Sequence, residues 1–207
     1  VLAGSRRLDE IIIEGPQGVS ILPGASGLTE LADLRASGRD RLIQELSAMQ
    51  QQYDYFIIDN GTGTSRSVRH FASCADTVLL MTTMETTSLA DTYAALKVYR
   101  SAKIRDVRIV FNRADIKSAK PAIENIKKTA KQFLQCDINV LGCIPEDPLM
   151  QQSVATRIPL MLQSPESSAG LAFKQAAQLL NTNNSRITTA QNHPFIKRLY
   201  ADQLSAA

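Results

Sequence analysis

Val107-Arg-Ile-Val-Phe-Asn-Arg113 and Ile138-Asn-Val-Leu-Gly-Cys-Ile144 each carry a short, largely β-branched apolar run, and between them Lys120–Gln135 repeats apolar groups at three- and four-residue steps. Strand, helix, strand in that order calls for a crossover connection, which lays the two strands parallel and the helix across one face. Working outward, Val19–Leu22, Tyr55–Ile58 and Thr77–Met81 add three more apolar runs bounded by Gly, Pro, Asp or Asn. Arg39–Gln52 and Thr87–Ala102 add two more helical patterns, the second marked by Leu89, Tyr93, Leu96 and Tyr99. The alternation predicts an α/β fold, a mostly parallel sheet of buried strands flanked by helices.

The chain has 207 residues, 44% of them hydrophobic and 21% charged, enough to bury one core. That domain is expected to span residues 1–180, closing with a helix that ends near Leu180. Residues 181–193 are polar and aperiodic and read as a linker. In 194–207, Phe195, Ile196, Leu199, Tyr200 and Leu204 fall on one stripe of a short amphipathic helix suited to a membrane interface or a partner. A net charge of +3 is far from the clustered excess of a phosphate-backbone binder, so composition argues against nucleic acid. Three cysteines without a C-x-x-C pair suggest neither a disulfide framework nor a metal site, and point to a reducing cytoplasm. No apolar run approaches the roughly 18 residues of a membrane span. The first residue is Val1 and no signal-peptide pattern follows it, so the chain reads as beginning inside a longer protein.

Ligands of parallel sheets sit at the carboxyl ends of the strands. The residues there are Pro23-Gly24, Asp59-Asn60-Gly61, Thr82-Thr83, Asn112-Arg113 and Pro145-Glu146-Asp147. Tyr53-Asp-Tyr-Phe-Ile-Ile-Asp-Asn-Gly-Thr-Gly63 reads as a strand that delivers an acid at its tip to a loop with two glycines. A carboxylate so placed can hold a magnesium-bound water, and glycine N–H groups can approach a γ-phosphate without a Cβ in the way. The plainer alternative makes Asp59 a cap for the next helix. An Asn112 amide offers a donor and an acceptor to a purine edge, or closes a strand-end turn. Thr87 or Ser88 reads as the N-cap of the helix after Thr82-Thr83. Arg66 and Arg69 read as solvated surface, and His70 and His193 form no metal or catalytic constellation.

Taken together, several segments resemble the MinD/ParA-type P-loop ATPases, most closely the FlhG/FleN regulators of flagellar number and placement. They are Glu14-Gly-Pro-Gln-Gly-Val-Ser-Ile-Leu-Pro-Gly-Ala-Ser-Gly27, Tyr53–Gly63, Thr82-Thr-Met-Glu-Thr-Thr-Ser-Leu-Ala-Asp91, Val110-Phe-Asn-Arg113 and Leu141-Gly-Cys-Ile-Pro-Glu-Asp-Pro148. The resemblance covers residues 1 to about 180. It implies an ATPase using ATP/ADP and Mg2+, with Asp59 as the catalytic and magnesium-side acid, acting through water, and Gly63 at the γ-phosphate. It also implies Asn112, Arg113, Pro145, Glu146 and Asp147 around adenine, and residues 65–70 on a switch helix. As to partners, it implies an ATP-bound homodimer, flagellar or division machinery, and peripheral contact with the inner face of the cell membrane through 194–205. A division-site MinD or a ParA partition ATPase fits the same site. No Gly-Lys-Ser or Gly-Lys-Thr occurs in the chain, and Val1-Leu-Ala-Gly4 resembles the family segment just downstream of its second, acidic strand. The family's phosphate loop and first strands are therefore expected to be missing by truncation, leaving this piece a poor ATP binder and prone to aggregate. The other reading is a non-catalytic interaction module that has lost its loop.

Overall fold

The computed structural model describes residues 7–23, 44–49, 52–104 and 106–184. They fall into two units that part between Cys74 and Ala75.

In the second unit, β3 (Val78–Thr82), β4 (Val107–Asn112) and β5 (Asn139–Ile144) form a parallel sheet in the order β3-β4-β5. Two helices follow the first two strands: α2 (Thr86–Ser101) after β3 and α3 (Ile116–Thr129) after β4. A π-helical turn, Ala130–Leu134, prolongs α3 until Gln135 enters the left-handed region at φ 50°. Beyond β5 come α4 (Pro148–Thr156), α5 (Leu160–Gln163) and α6 (Ser168–Asn184).

The sheet is covered on both faces. Ile109 and Phe111, fully buried, pack with Leu96 of α2 and Ala119 and Ile126 of α3. Val110, Leu141 and Ile144 pack on the other side with Leu160 of α5 and Ala169 of α6. Strict alternation along β5 would put Leu141 and Cys143 on one face. The β4–β5 register shifts so that Ile109 pairs with Val140 but Val110 with Gly142. The extra residue lets Val140 and Cys143 join the first cluster while Leu141 and Ile144 join the second. Coverage gives out at β3, where Leu79 and Met81 are about half exposed.

The expected α/β fold with a parallel sheet is present, with three corrections among the strands and helices. Val19–Leu22 is not a buried strand: β2 (Ser20–Ile21) pairs antiparallel with β1 (Ile13–Glu14) in an exposed hairpin. The turn decides this, because Gln17 and Gly18 both take positive φ and the Gly15 N–H reaches the Val19 carbonyl at 2.7 Å, folding the chain straight back. Tyr55–Ile58 forms no strand, and Ile57 is 91% exposed. A β-branched run becomes a strand only where a neighbour completes its ladder, and the described ladders are β1–β2, β3–β4 and β4–β5 alone. Helix α3 starts at Ile116 rather than Lys120, because Asp115 accepts the N–H groups of Lys117 and Ser118 and the helix carries Pro121 in its interior. Of the pattern Arg39–Gln52, residues 44–49 are helical. α6 carries on through Asn184, so the first four residues expected in the linker are helical; the remainder and the 194–207 helix lie outside the described residues, as do Val1–Gly4 and Gly24.

Candidate functional site

In the second unit the strand ends converge. Asn112 closes β4 opposite Ile144, the last residue of β5. Its Oδ1 accepts the Arg113 N–H at 3.1 Å, which holds the chain as it turns with Arg113 at φ 55°. Ala114 then donates to the Ile144 carbonyl at 3.0 Å, so the β4 and β5 exits are tied together. Arg113 Nη2 donates to Glu146 Oε1 at 3.4 Å with both side chains more than half exposed. An open cavity of ≈ 250 Å³ lies here, lined by Thr83, Met84, Glu85, Arg113 and Glu146.

The wall formed by Thr83–Glu85 is held from below. Thr82 and Thr92 are buried, with their hydroxyls 2.8 Å apart. Ser88 Oγ lies 3.1 Å from Thr82 Oγ1 and accepts the Thr83 N–H at 2.9 Å. The N-cap expected at Thr87 or Ser88 is Glu85 instead, and it makes no side-chain cap. Ser88 is the third residue of the helix, and its hydroxyl reaches back to the loop.

The far wall rests on Asp147. Its Oδ1 accepts the Leu149 N–H at 2.9 Å, capping α4, with Pro148 at the first helical position. Its Oδ2 accepts the Ala169 N–H at 3.0 Å and the Ser168 hydroxyl at 2.8 Å, at the start of α6. The N–H groups of Ala169 and Leu149, and then the Ser168 hydroxyl, favour the charged form and hold this carboxyl down at about 2. Asp147 is buried, Glu146 exposed and Pro145 in between.

Asp59 and Gly63 belong to the first unit. Both are exposed in the loop before α1 (Arg66–Cys74), and Gly63 takes φ 88°, a conformation that favours glycine. Asp59 does not cap α1; the Ser65 hydroxyl just before the helix accepts the Val68 N–H at 3.4 Å, and Asn60 donates from Nδ2 to the Val68 carbonyl at 3.2 Å. Among the described residues no group of three His, Cys, Asp or Glu could hold a metal ion. A lone exposed carboxylate is compatible with magnesium only in the manner that ion favours, several waters retained and phosphate oxygens completing its shell.

The structure thus gathers Asn112, Arg113, Glu146 and, behind them, Asp147. Sequence reading missed Met84 and Glu85 as lining residues, assigning that segment only to the entry of the next helix. Their place directly after β3, at a carboxyl end, was the available signal.

No protein-family model matches the chain. Antiactivator FleN of Pseudomonas aeruginosa is 30% identical over 184 residues, covering 88% of this chain and 66% of FleN. The flagellum site-determining protein YlxH of Helicobacter pylori is 28% identical over 181 residues, covering 86% of this chain and 61% of YlxH. The chain therefore spans about two thirds of the length of these relatives, or slightly less. Among solved structures, the MinD cell division protein of Aquifex aeolicus superposes with a TM-score of 0.66 at 19% identity, covering 87% of this chain and 72% of that one. The septum site-determining protein MinD of Pyrococcus horikoshii, complexed with Mg-ADP, gives 0.62 at 21% identity, over 91% and 74%. With a parallel sheet whose exits meet at Asn112 and Ile144, the fold of MinD, and a sequence related to FleN and YlxH, this chain belongs to the MinD/ParA-type P-loop ATPases and is most like their FlhG/FleN members.

Proposed function

We propose that the chain is the base-binding part of a nucleotide-switch ATPase that regulates flagellar number or placement, using ATP/ADP and Mg2+, dimerising with ATP and releasing its partners on hydrolysis. The observation that carries this reading is the cavity at the β4 and β5 exits, lined by Thr83, Met84, Glu85, Arg113 and Glu146, next in sequence to Asn112 at the end of β4 and to Pro145 just after β5. In it, Asn112 meets the purine edge through its Nδ2 donor and the acceptor capacity left on Oδ1. Arg113 and Glu146 flank the base, and Asp147 shapes the wall from behind rather than touching nucleotide. Asp59 holds a magnesium-bound water, and Gly63 offers its N–H to the γ-phosphate. Magnesium, when bound, would neutralise charge on the phosphate oxygens. FleN and YlxH support the flagellar assignment by their names.

The test is Mg-ATP and Mg-ADP binding and turnover by the full gene product that contains this chain, beside Asn112→Ala and Asp59→Ala. Asn112→Ala should weaken ATP and ADP alike and lose preference over GTP, whereas Asp59→Ala should abolish turnover while leaving Mg-free ADP binding nearly unchanged. An absence of nucleotide binding would favour the second reading, a non-catalytic interaction module.

A further inference from the structure

The whole chain carries +3, but residues 116–134 alone, α3 and its π-helical turn, hold five lysines against Glu124, a net +4. The rest of the chain therefore sums to −1, and the weak overall charge conceals one strongly basic helix. Lys117, Lys120, Lys127, Lys128 and Lys131, at successive spacings of three, seven, one and three residues that a 3.6-residue turn gathers on one side of the helix, are exposed, whereas Ala119, Ile126 and Ala130 are buried against the sheet. The lysines thus occupy the face turned away from the core, over a length of about 20 Å.

Helix stability explains only part of this pattern. Lys127, Lys128 and Lys131 suit the negative end of the helix dipole, but Lys117 and Lys120 sit near its positive end, where cations are unfavourable, and the capping Asp115 there is engaged by the Lys117 and Ser118 N–H groups and the Ser118 hydroxyl rather than by either ammonium. Glu124 stands four residues from both Lys120 and Lys128, yet among the described residues the stripe makes one ion pair, Lys131 to Asp137 at 3.7 Å, exposed on both sides.

We propose that this face of α3 docks on an anionic phospholipid surface. The stripe is all lysine and no arginine, compact charges suited to a diffuse negative plane rather than to the forked recognition of a particular phosphate. It carries no aromatic interleaving for stacking on bases. It is bracketed by exposed apolar groups, Ile116 at 60% exposure at its start and Phe133 at 65% just beyond its end, which suit the boundary between headgroups and acyl chains. The inference does not rest on the nucleotide reading.

The test is co-sedimentation of the full chain with vesicles of phosphatidylcholine alone and of phosphatidylcholine with phosphatidylglycerol, at ~0.05 M and ~0.5 M salt, since screening shortens the reach of surface charge. Binding is expected only to the anionic vesicles and only at low salt. Lys127→Gln/Lys128→Gln should weaken it about 30-fold, roughly fivefold per lysine. Lys117→Gln/Lys120→Gln should weaken it similarly while folding at least as stably, because it removes cations from the positive end of the dipole. Lys97→Gln/Lys103→Gln, which removes equal charge elsewhere, should leave it within about twofold of wild type if α3 carries the contact. The proposal is overturned by failure to bind anionic vesicles, by undiminished binding of both α3 variants, by an equal loss in the control, or by duplex DNA outcompeting the vesicles.

Discussion

Asp147 shows how a residue assigned to a ligand can belong to the scaffold. Both carboxylate oxygens are taken by the starts of α4 and α6, and the bond from Ser168 to Asp147 spans 21 residues of sequence. The Asp-Pro pair was a legible helix start, but its second bond, to Ser168 and Ala169, joins elements that sequence could not connect. Because the folded carboxyl titrates at about 2, below its unfolded value near ~3.9, the stability it provides is complete above that upper value. It is lost as pH falls from there towards 2. We therefore expect Asp147→Asn to melt several degrees lower than wild type at neutral pH, with the gap closing on acidification through that window, as thermal scans at stepped pH would show. Arg113 should behave in the opposite way. Its pair with Glu146 is exposed, and such pairs contribute about 0–1 kcal/mol. Arg113→Ala should leave the melting temperature almost unchanged while lowering nucleotide affinity in the full gene product, measured by calorimetric titration.

At the scale of elements, the loop after β3 owes its shape to hydroxyls as well as to Met84, which packs against the core cluster. Thr82, Ser88 and Thr92 tie the strand tip to the first turns of α2, and Ser88 takes the Thr83 N–H. Ser88→Ala should cost about 1 kcal/mol, the worth of one such hydrogen bond, and loosen the Thr83–Glu85 wall. Faster amide exchange at Thr83, with little change at β4, is the expected signature. Serine near a helix start was legible as a cap, yet the direction of its bond was not, since a hydroxyl can serve its own helix or the preceding loop equally well. Periodicity found α2 to within a residue at each end and β4 to within one. It placed the start of α3 four residues late, because Pro121 resembles a first-turn proline and the Asp115 cap lies upstream of the periodic run.

For the molecule as a whole, stability of the second unit is concentrated where the two faces of the sheet are both covered. Phe111 is fully buried at the centre of one cluster, and Phe111→Ala should cost about 3–5 kcal/mol, enough to shift or abolish the cooperative transition seen by circular dichroism. The sequence by itself determined the parallel β3-β4-β5 core, the helices that cross it and the family, because these rest on local periodicity and on segments read in order. It also marked Asn112, Arg113 and Glu146 as strand-exit residues, since position after an apolar run is a local property. Only the tertiary structure decided which apolar runs become strands: Val107–Asn112 has neighbours on both sides and is buried, whereas Tyr55–Ile58 has no ladder to join among the described residues and is exposed. It decided too that Asp147 faces two helices and that the lysines of α3 share one outward face. Burial, pairing and charge clustering depend on which residues the chain brings together, and that is a property of contacts distant in sequence.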